Sequence, residues 1–254
     1  MTGLLTIVGL GPGDPRYLTP SASEVLACAT DIVGYGPYVD RVPDRPGLRR
    51  HASDNRVELD RARFALDLVA KGARVAVVSG GDPGVFAMAA AVFEAVENGD
   101  PAWRSLDIRV EPGITAMLAA AARVGAPLGG DFCAMSLSDN LKPWEVAEVR
   151  LRAAIAADFV VALYNPISSA RPWQLGAAFK IIAEMRGPDT PIILARAVGR
   201  PDERIRILPL AEVEASMADM STIVIIGAST TRLIERPEGE EPYVYTPRFY
   251  GVRP

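Results

Sequence analysis

The sequence predicts an α/β protein: two α/β domains with a cleft between them. Three observations lead there. Short apolar runs alternate with stretches of helical spacing along the whole chain. Three of those runs end in glycine-bearing turns, at Gly9, Gly80 and Gly113, the place where open α/β sheets hold ligands. A Gly- and Pro-rich segment, residues 124–130 (VGAPLGG), interrupts the alternation, which then restarts. The break gives an N-terminal domain over 1–124, carrying the glycine-rich loop, and a C-terminal domain over 125–254.

The elements follow in order. Residues 4–8 (LLTIV) form a buried strand that runs into the turn 9–14. Thr19 as N-cap and Pro20 at the first helical position open a helix over 19–29. Residues 31–34 make a second strand. Residues 56–71 carry Leu59, Ala62, Phe64, Leu66 and Val69 at helical spacing, with Gly72 as the stop. A strand over 74–79 leads into Gly80-Gly81-Asp82-Pro83-Gly84 and a helix over 85–97. A strand over 107–110 and a helix over 115–123 complete the first half. Beyond the break, strands are expected over 132–136, 159–164, 191–196, 204–208 and 221–226. Helices are expected over 143–156, 174–185 and 211–217. The sheets are expected to be mainly parallel, and the tail from Arg236, rich in Pro, Glu and Tyr, reads as a surface extension.

Composition narrows the function. With 27 Lys+Arg against 31 Asp+Glu the net charge is −4, which argues against a nucleic-acid binder. Cys28 and Cys133 offer neither a disulfide framework nor metal-ligand spacing, so no metal site is expected. His51 is the only histidine, which excludes any mechanism needing two imidazoles. No apolar run reaches transmembrane length, and the first residues lack the pattern of a signal peptide. A cytoplasmic setting is the expectation.

The loop Gly9-Leu10-Gly11-Pro12-Gly13-Asp14 invites a dinucleotide reading. Gly9 and Gly11 fit that fingerprint, but Asp14 stands at its sixth position, where a carboxylate would repel a pyrophosphate. The stretch where a ribose-binding acid belongs reads Gly34-Tyr35-Gly36. An NAD(P)-linked oxidoreductase stays open as a reading, as does a plain strand-to-helix connection.

The loop has company. Segments 9–14 (GLGPGD), 79–86 (SGGDPGVF), 111–116 (EPGITA), 164–166 (YNP) and 196–201 (RAVGRP) all lie just after apolar strands. In this order and spacing, over about residues 3–230, the chain resembles the tetrapyrrole (corrin/porphyrin) methylase family. The resemblance implies two α/β domains, S-adenosylmethionine held in the cleft and released as S-adenosylhomocysteine, and a homodimer. Segments 34–38 (GYGPY), 131–139 (DFCAMSLSD) with Pro143-Trp144, and 229–232 (STTR) are similar to one branch of that family. That branch methylates precorrin-3B at carbon 17 and contracts the ring to precorrin-4 in cobalamin biosynthesis. A relative acting on the cobalt-bearing substrate, another precorrin methyltransferase and a non-catalytic corrin binder stay open beside it. Gly130 departs from the pattern, since histidine is frequent there in the family.

The resemblance implies donor contacts at Pro12, Gly80, Gly81, Asp82, Val85, Thr115, Ala116, Tyr164, Asn165, Ala197 and Thr222. Asp82 reads equally as a carboxylate at a helix N-terminus. Methyl transfer rests mainly on alignment. Ring contraction moves a hydroxyl-bearing bridge carbon and opens a lactone, which calls for an acid and a base. Asp14, Ser138 and Asp139 are the candidates. A polycarboxylate substrate demands local cations. Arg49, Arg171 and Arg196, with Tyr35, are expected to bind it, from a pool that includes Arg50, Lys142 and Arg200. His51 reads as a surface residue.

Overall fold

The inner strands of the first half carry apolar residues on both faces, and the fold uses both. The computed structural model describes residues 3–55 and 57–249. The helix start expected at Arg56 and the outer ends of the two expected domains lie outside the described residues. Met1–Ala116 and Met117–Pro254 are two compact units. They part at the start of the helix that precedes the 124–130 segment.

The first unit runs β1 (Leu4–Gly9), α1 (Pro20–Cys28), β2 (Asp31–Tyr35), α2 (Gly36–Val39), β3 (Arg49–Ser53), α3 (Glu58–Ala70), β4 (Arg74–Ser79), α4 (Met88–Asn98) and β5 (Asp107–Glu111). The strands form one parallel sheet in the order β3-β2-β4-β1-β5. Alternation sends Leu5, Ile7, Val75 and Val77 toward α3 and α4, where Leu66, Val69 and Val92 meet them. Val8, Ala76 and Val78 face Ala22 and Leu26 of α1. Helix α1 starts as expected, with Thr19 Oγ1 accepting the Ala22 N–H at 3.1 Å. Helix α4 starts later than expected, because Phe86 at φ 52° belongs to the preceding loop. Strand β3 (RRHAS) is a polar edge strand that no apolar pattern announces.

The second unit holds α5 (Ala116–Val124, whose first residue closes the first unit), β6 (Gly125–Ala126), β7 (Phe132–Ser136), α6 (Trp144–Ala156), β8 (Val160–Tyr164) and α7 (Gln174–Ala183). It continues with β9 (Pro191–Arg196), β10 (Arg204–Pro209), β11 (Thr222–Ile226), β12 (Arg232–Ile234) and β13 (Tyr243–Tyr245). Its main sheet, β10-β9-β11-β8-β7, corrects the expectation of parallel strands. Only β7 and β8 pair in parallel; β11 is antiparallel to both neighbours, and β10 is antiparallel to β9. The reason lies in the connections. Helices α6 and α7 carry the chain back after β7 and β8, as parallel strands require. A short loop joins β9 to β10. Two 3-10 turns, Leu210–Glu212 and Ala215–Met217, replace the single short helix expected before β11.

The tail is not a surface extension throughout. Strand β13 pairs with β12 and β6, Val244 is fully buried, and Thr246 Oγ1 donates to the Pro127 carbonyl at 2.6 Å. No helix among the described residues is long and apolar enough to cross a membrane.

Candidate functional site

In the first unit β1, β4 and β5 end side by side, and their loops interlock. Gly11 and Gly81, at φ 66° and 68°, exchange N–H to carbonyl bonds at 3.1 and 2.9 Å. A Cβ on Gly113 would stand 2.3 Å from the Gly81 carbonyl oxygen, and one on Gly9 would stand 2.6 Å from the Gly113 nitrogen. These glycines let backbone approach backbone.

Asp82 fastens the same loops. Its Oδ1 accepts the Gly84 N–H at 2.8 Å and its Oδ2 accepts the Gly113 N–H at 3.0 Å. Because α4 begins only at Met88, the carboxylate is not a helix cap. From the loop after α2, Arg41 donates to the carbonyls of Gly11 at 3.1 Å and Gly13 at 3.2 Å. The Tyr38 ring lies against Gly80, and Tyr35 meets Tyr38 edge to face with centroids 5.5 Å apart. Thr115 is buried beyond the β5 loop. Asp14 caps the 3-10 turn Pro15–Tyr17, accepting the Arg16 N–H and holding its guanidinium, each at 2.8 Å. Val85 closes a turn onto the Asp82 carbonyl at 3.4 Å.

Arg49 lies elsewhere. It sits at the first residue of β3, at the end of the parallel sheet remote from the glycine loops. Its Nε and Nη2 each donate to the buried Asp31 carboxylate at 2.7 Å, and His51 Nε2 faces Asp31 Oδ1 at 2.8 Å. The Arg49 guanidinium holds the Asp31 carboxyl far below the usual carboxylate range against the opposing effect of burial; His51 and Thr30 add to it. Arg49 therefore braces β2 to β3, and His51 is half-buried in the same group.

In the second unit β7, β8 and β9 run the same way, so Ser136, Tyr164 and Arg196 mark one end of the sheet; antiparallel β11 enters there at Thr222. Asn165 Nδ2 donates to Ser136 Oγ at 3.0 Å, and the Ser138 N–H donates to the same oxygen at 3.2 Å. Lys142 Nζ donates to the carbonyls of Ser136 at 2.8 Å and Ser138 at 3.0 Å. Burial, with repulsion from Arg150 and Arg171 and despite Asp139, pushes the Lys142 ammonium below the ordinary lysine range. Asp139 Oδ2 accepts Gln174 Nε2 at 2.8 Å, and its Oδ1 lies 3.9 Å from Arg171 Nε. Arg171 is buried and donates to the Asn165 carbonyl at 3.1 Å.

At the neighbouring strand ends the Ala197 N–H donates to the Ser221 carbonyl at 2.9 Å, and Thr222 Oγ1 donates to Asp219 Oδ1 at 2.9 Å. Arg196 is gripped by Asp219 at 2.6 Å and Asp202 at 2.7 Å. Tyr164 Oη accepts the Met117 N–H at 3.1 Å, near the start of α5. Among the described residues the non-glycine positions at positive φ are Phe86, Asp158, Asn165 and Ala197. Three of the four lie in loops the sequence singled out, the kind of place where proteins keep strained backbone for function.

The model of the family described as Tetrapyrrole (Corrin/Porphyrin) Methylases matches residues 4–214. The chain belongs to the tetrapyrrole methylases. A protein of Sinorhizobium sp named precorrin-3B C(17)-methyltransferase is 58% identical over 251 residues, covering 99% of this chain and 98% of that protein. A probable cobalt-factor III C(17)-methyltransferase of Salmonella typhimurium is 36% identical over 252 residues, covering 98% of this chain and all of that one. The crystal structure of the methyltransferase CobJ superposes with a TM-score of 0.91 at 53% identity, covering 96% of this chain and 100% of that one. Membership in this methylase family displaces the oxidoreductase reading.

Most of the expected methylase residues thus gather at strand ends in their own unit, with Arg49 the exception. Sequence reasoning missed Arg41 and Gln174. Arg41 lies in no apolar pattern, and Gln174 read only as the first residue of a helix.

Proposed function

We infer that this chain is an S-adenosylmethionine-dependent methyltransferase that methylates precorrin-3B at carbon 17 and contracts its ring to precorrin-4, in cobalamin biosynthesis. The full-length likeness to the Sinorhizobium protein carries the reading. The weaker likeness to the cobalt-factor III protein favours the metal-free substrate.

The residues present suit a cationic methyl donor. Asp82, fixed by two peptide N–H groups, places a carboxylate among the glycine loops; it attracts a positive group and would repel a pyrophosphate. S-adenosylmethionine supplies an electrophilic methyl group on a sulfonium. In this reading its contacts are Pro12, Gly80, Gly81, Asp82, Val85, Thr115, Ala116, Tyr164, Asn165, Ala197 and Thr222. Interlocked loops hold those of the first unit still, and alignment is most of what such a displacement needs. For the contraction Asp139 is the proposed base, with Ser138 beside it. Asp14 is the weaker candidate, since both its oxygens are engaged with Arg16. Arg171 and Arg196, with Tyr35, remain the proposed contacts for acidic arms of the substrate, and Arg49 is assigned to the sheet. A homodimer working in the cytoplasm completes the reading.

The test is direct. Purified protein given precorrin-3B and S-adenosylmethionine is expected to yield a product heavier by one methylene, with the methyl on carbon 17 by NMR. The cobalt-bearing analogue should react more slowly. Failure of both substrates sinks the reading. Sedimentation equilibrium is expected to give twice the monomer mass.

A further inference from the structure

We propose that Gln174 is a positioning residue for ring contraction, acting through Asp139. The proposal rests on the reading that Asp139 is the base.

Gln174 is the first residue of α7 and is 1% exposed. Its Nε2 donates to Asp139 Oδ2 at 2.8 Å, while its Oε1 is buried without a hydrogen-bond partner among the described residues. A buried amide oxygen left alone is a standing cost to folding, which an apolar side chain of similar size would remove. Among the described residues the amide's one hydrogen bond is that to Asp139. The rest of the surroundings fits an aimed carboxylate. Arg171 Nε stands 3.9 Å from the other oxygen, and the same guanidinium donates to the Asn165 carbonyl. Lys142 ties down the carbonyls of Ser136 and Ser138, the stretch leading into Asp139. The carboxylate is thus bonded by Gln174 and flanked by Arg171, with Gln174 fixing one oxygen and leaving Oδ1 as the acceptor.

The contraction needs such an acceptor. The hydroxyl on the bridge carbon gives its proton to Asp139 and becomes a carbonyl. A carbon–carbon bond migrates to the adjacent ring carbon. The lactone carbon–oxygen bond breaks there, and its electron pair leaves on a carboxylate. No oxidant or reductant is consumed. Methyl transfer involves no proton at Asp139, so loss of Gln174 should separate the two steps.

The experiment compares wild type, Gln174→Met and Asp139→Asn with precorrin-3B and S-adenosylmethionine. Methylation is read by mass, contraction by the NMR signals of the rearranged ring, and folding by thermal unfolding. Gln174→Met is expected to unfold at or above the wild-type temperature and to methylate within about threefold of the wild-type rate. Its contraction should slow at least tenfold, so that a methylated, uncontracted product accumulates. Should Gln174→Met fold poorly, Gln174→Leu carries the same comparison. If Asp139→Asn blocks contraction and the Gln174 variants contract normally, the positioning role is wrong and the base assignment survives. If Asp139→Asn contracts normally, the base assignment is wrong and this proposal falls with it. Equal slowing of both steps in the Gln174 variants would also overturn it.

Discussion

Asp31 is completely buried, and three side chains supply its hydrogen bonds: Arg49, His51 and Thr30. Its folded-state pKa is depressed, chiefly by Arg49. The stabilisation is therefore full above the unfolded value of about 3.9 and is lost as the pH falls through the folded value. Asp31→Asn is expected to cost about 2 kcal/mol in urea unfolding at pH 7. The gap to wild type should narrow as the pH drops below about 4; a gap that stayed constant would count against the pairing. Arg41 offers a second test at this scale. Arg41→Met removes the bonds of the guanidinium to the Leu10, Gly11 and Gly13 carbonyls and should raise the KM for the methyl donor more than it lowers kcat. Neither role was legible in the sequence. Asp31 reads there as the start of a strand, and Arg49 as a substrate ligand, because partners in space leave no periodic trace. The candidates at strand ends were legible, because glycine after an apolar run reports backbone geometry directly.

At the scale of elements, the interlocked loops leave no room for a Cβ on Gly9 or Gly113. Gly113→Ala is expected to lose roughly 1–3 kcal/mol of stability and much of the donor affinity, read by thermal unfolding and titration calorimetry. Unchanged stability would mean that the Gly81 carbonyl can retreat from its 2.3 Å approach. The strands and long helices of the core were readable to within a few residues, since burial on two faces writes itself into apolar runs and helical spacing. Strand direction in the second unit was not readable. Strand β11 (TIVII) is buried at all five positions, and such a run looks the same whichever way it points. Strand β3 escaped notice for the opposite reason, having almost no apolar residues to pattern.

At the scale of the whole molecule, the chain's final stretch contributes to its fold. Val244 is buried, and Thr246 joins Thr231 at 2.8 Å and the Pro127 carbonyl at 2.6 Å. Truncation after Thr231 should lower the melting temperature by roughly 2–4 °C or more, the shift that about 1 kcal/mol produces in a domain of 150–250 residues. The net charge of −4 takes on meaning here too. Arg49 is engaged in an ion pair with the buried Asp31, so a count of arginines overstates what a polyanion can use. The central place of β11 also bears on how the chain is made. Strands β8 and β9 leave the ribosome first, with a strand-wide gap between them that only residues 222–226 can fill. Until those residues emerge, two open edges stay available to other nascent chains. Conditions that slow synthesis between the codons for β9 and β11, or remove chaperones, should therefore lower soluble yield more than the finished protein's stability would suggest.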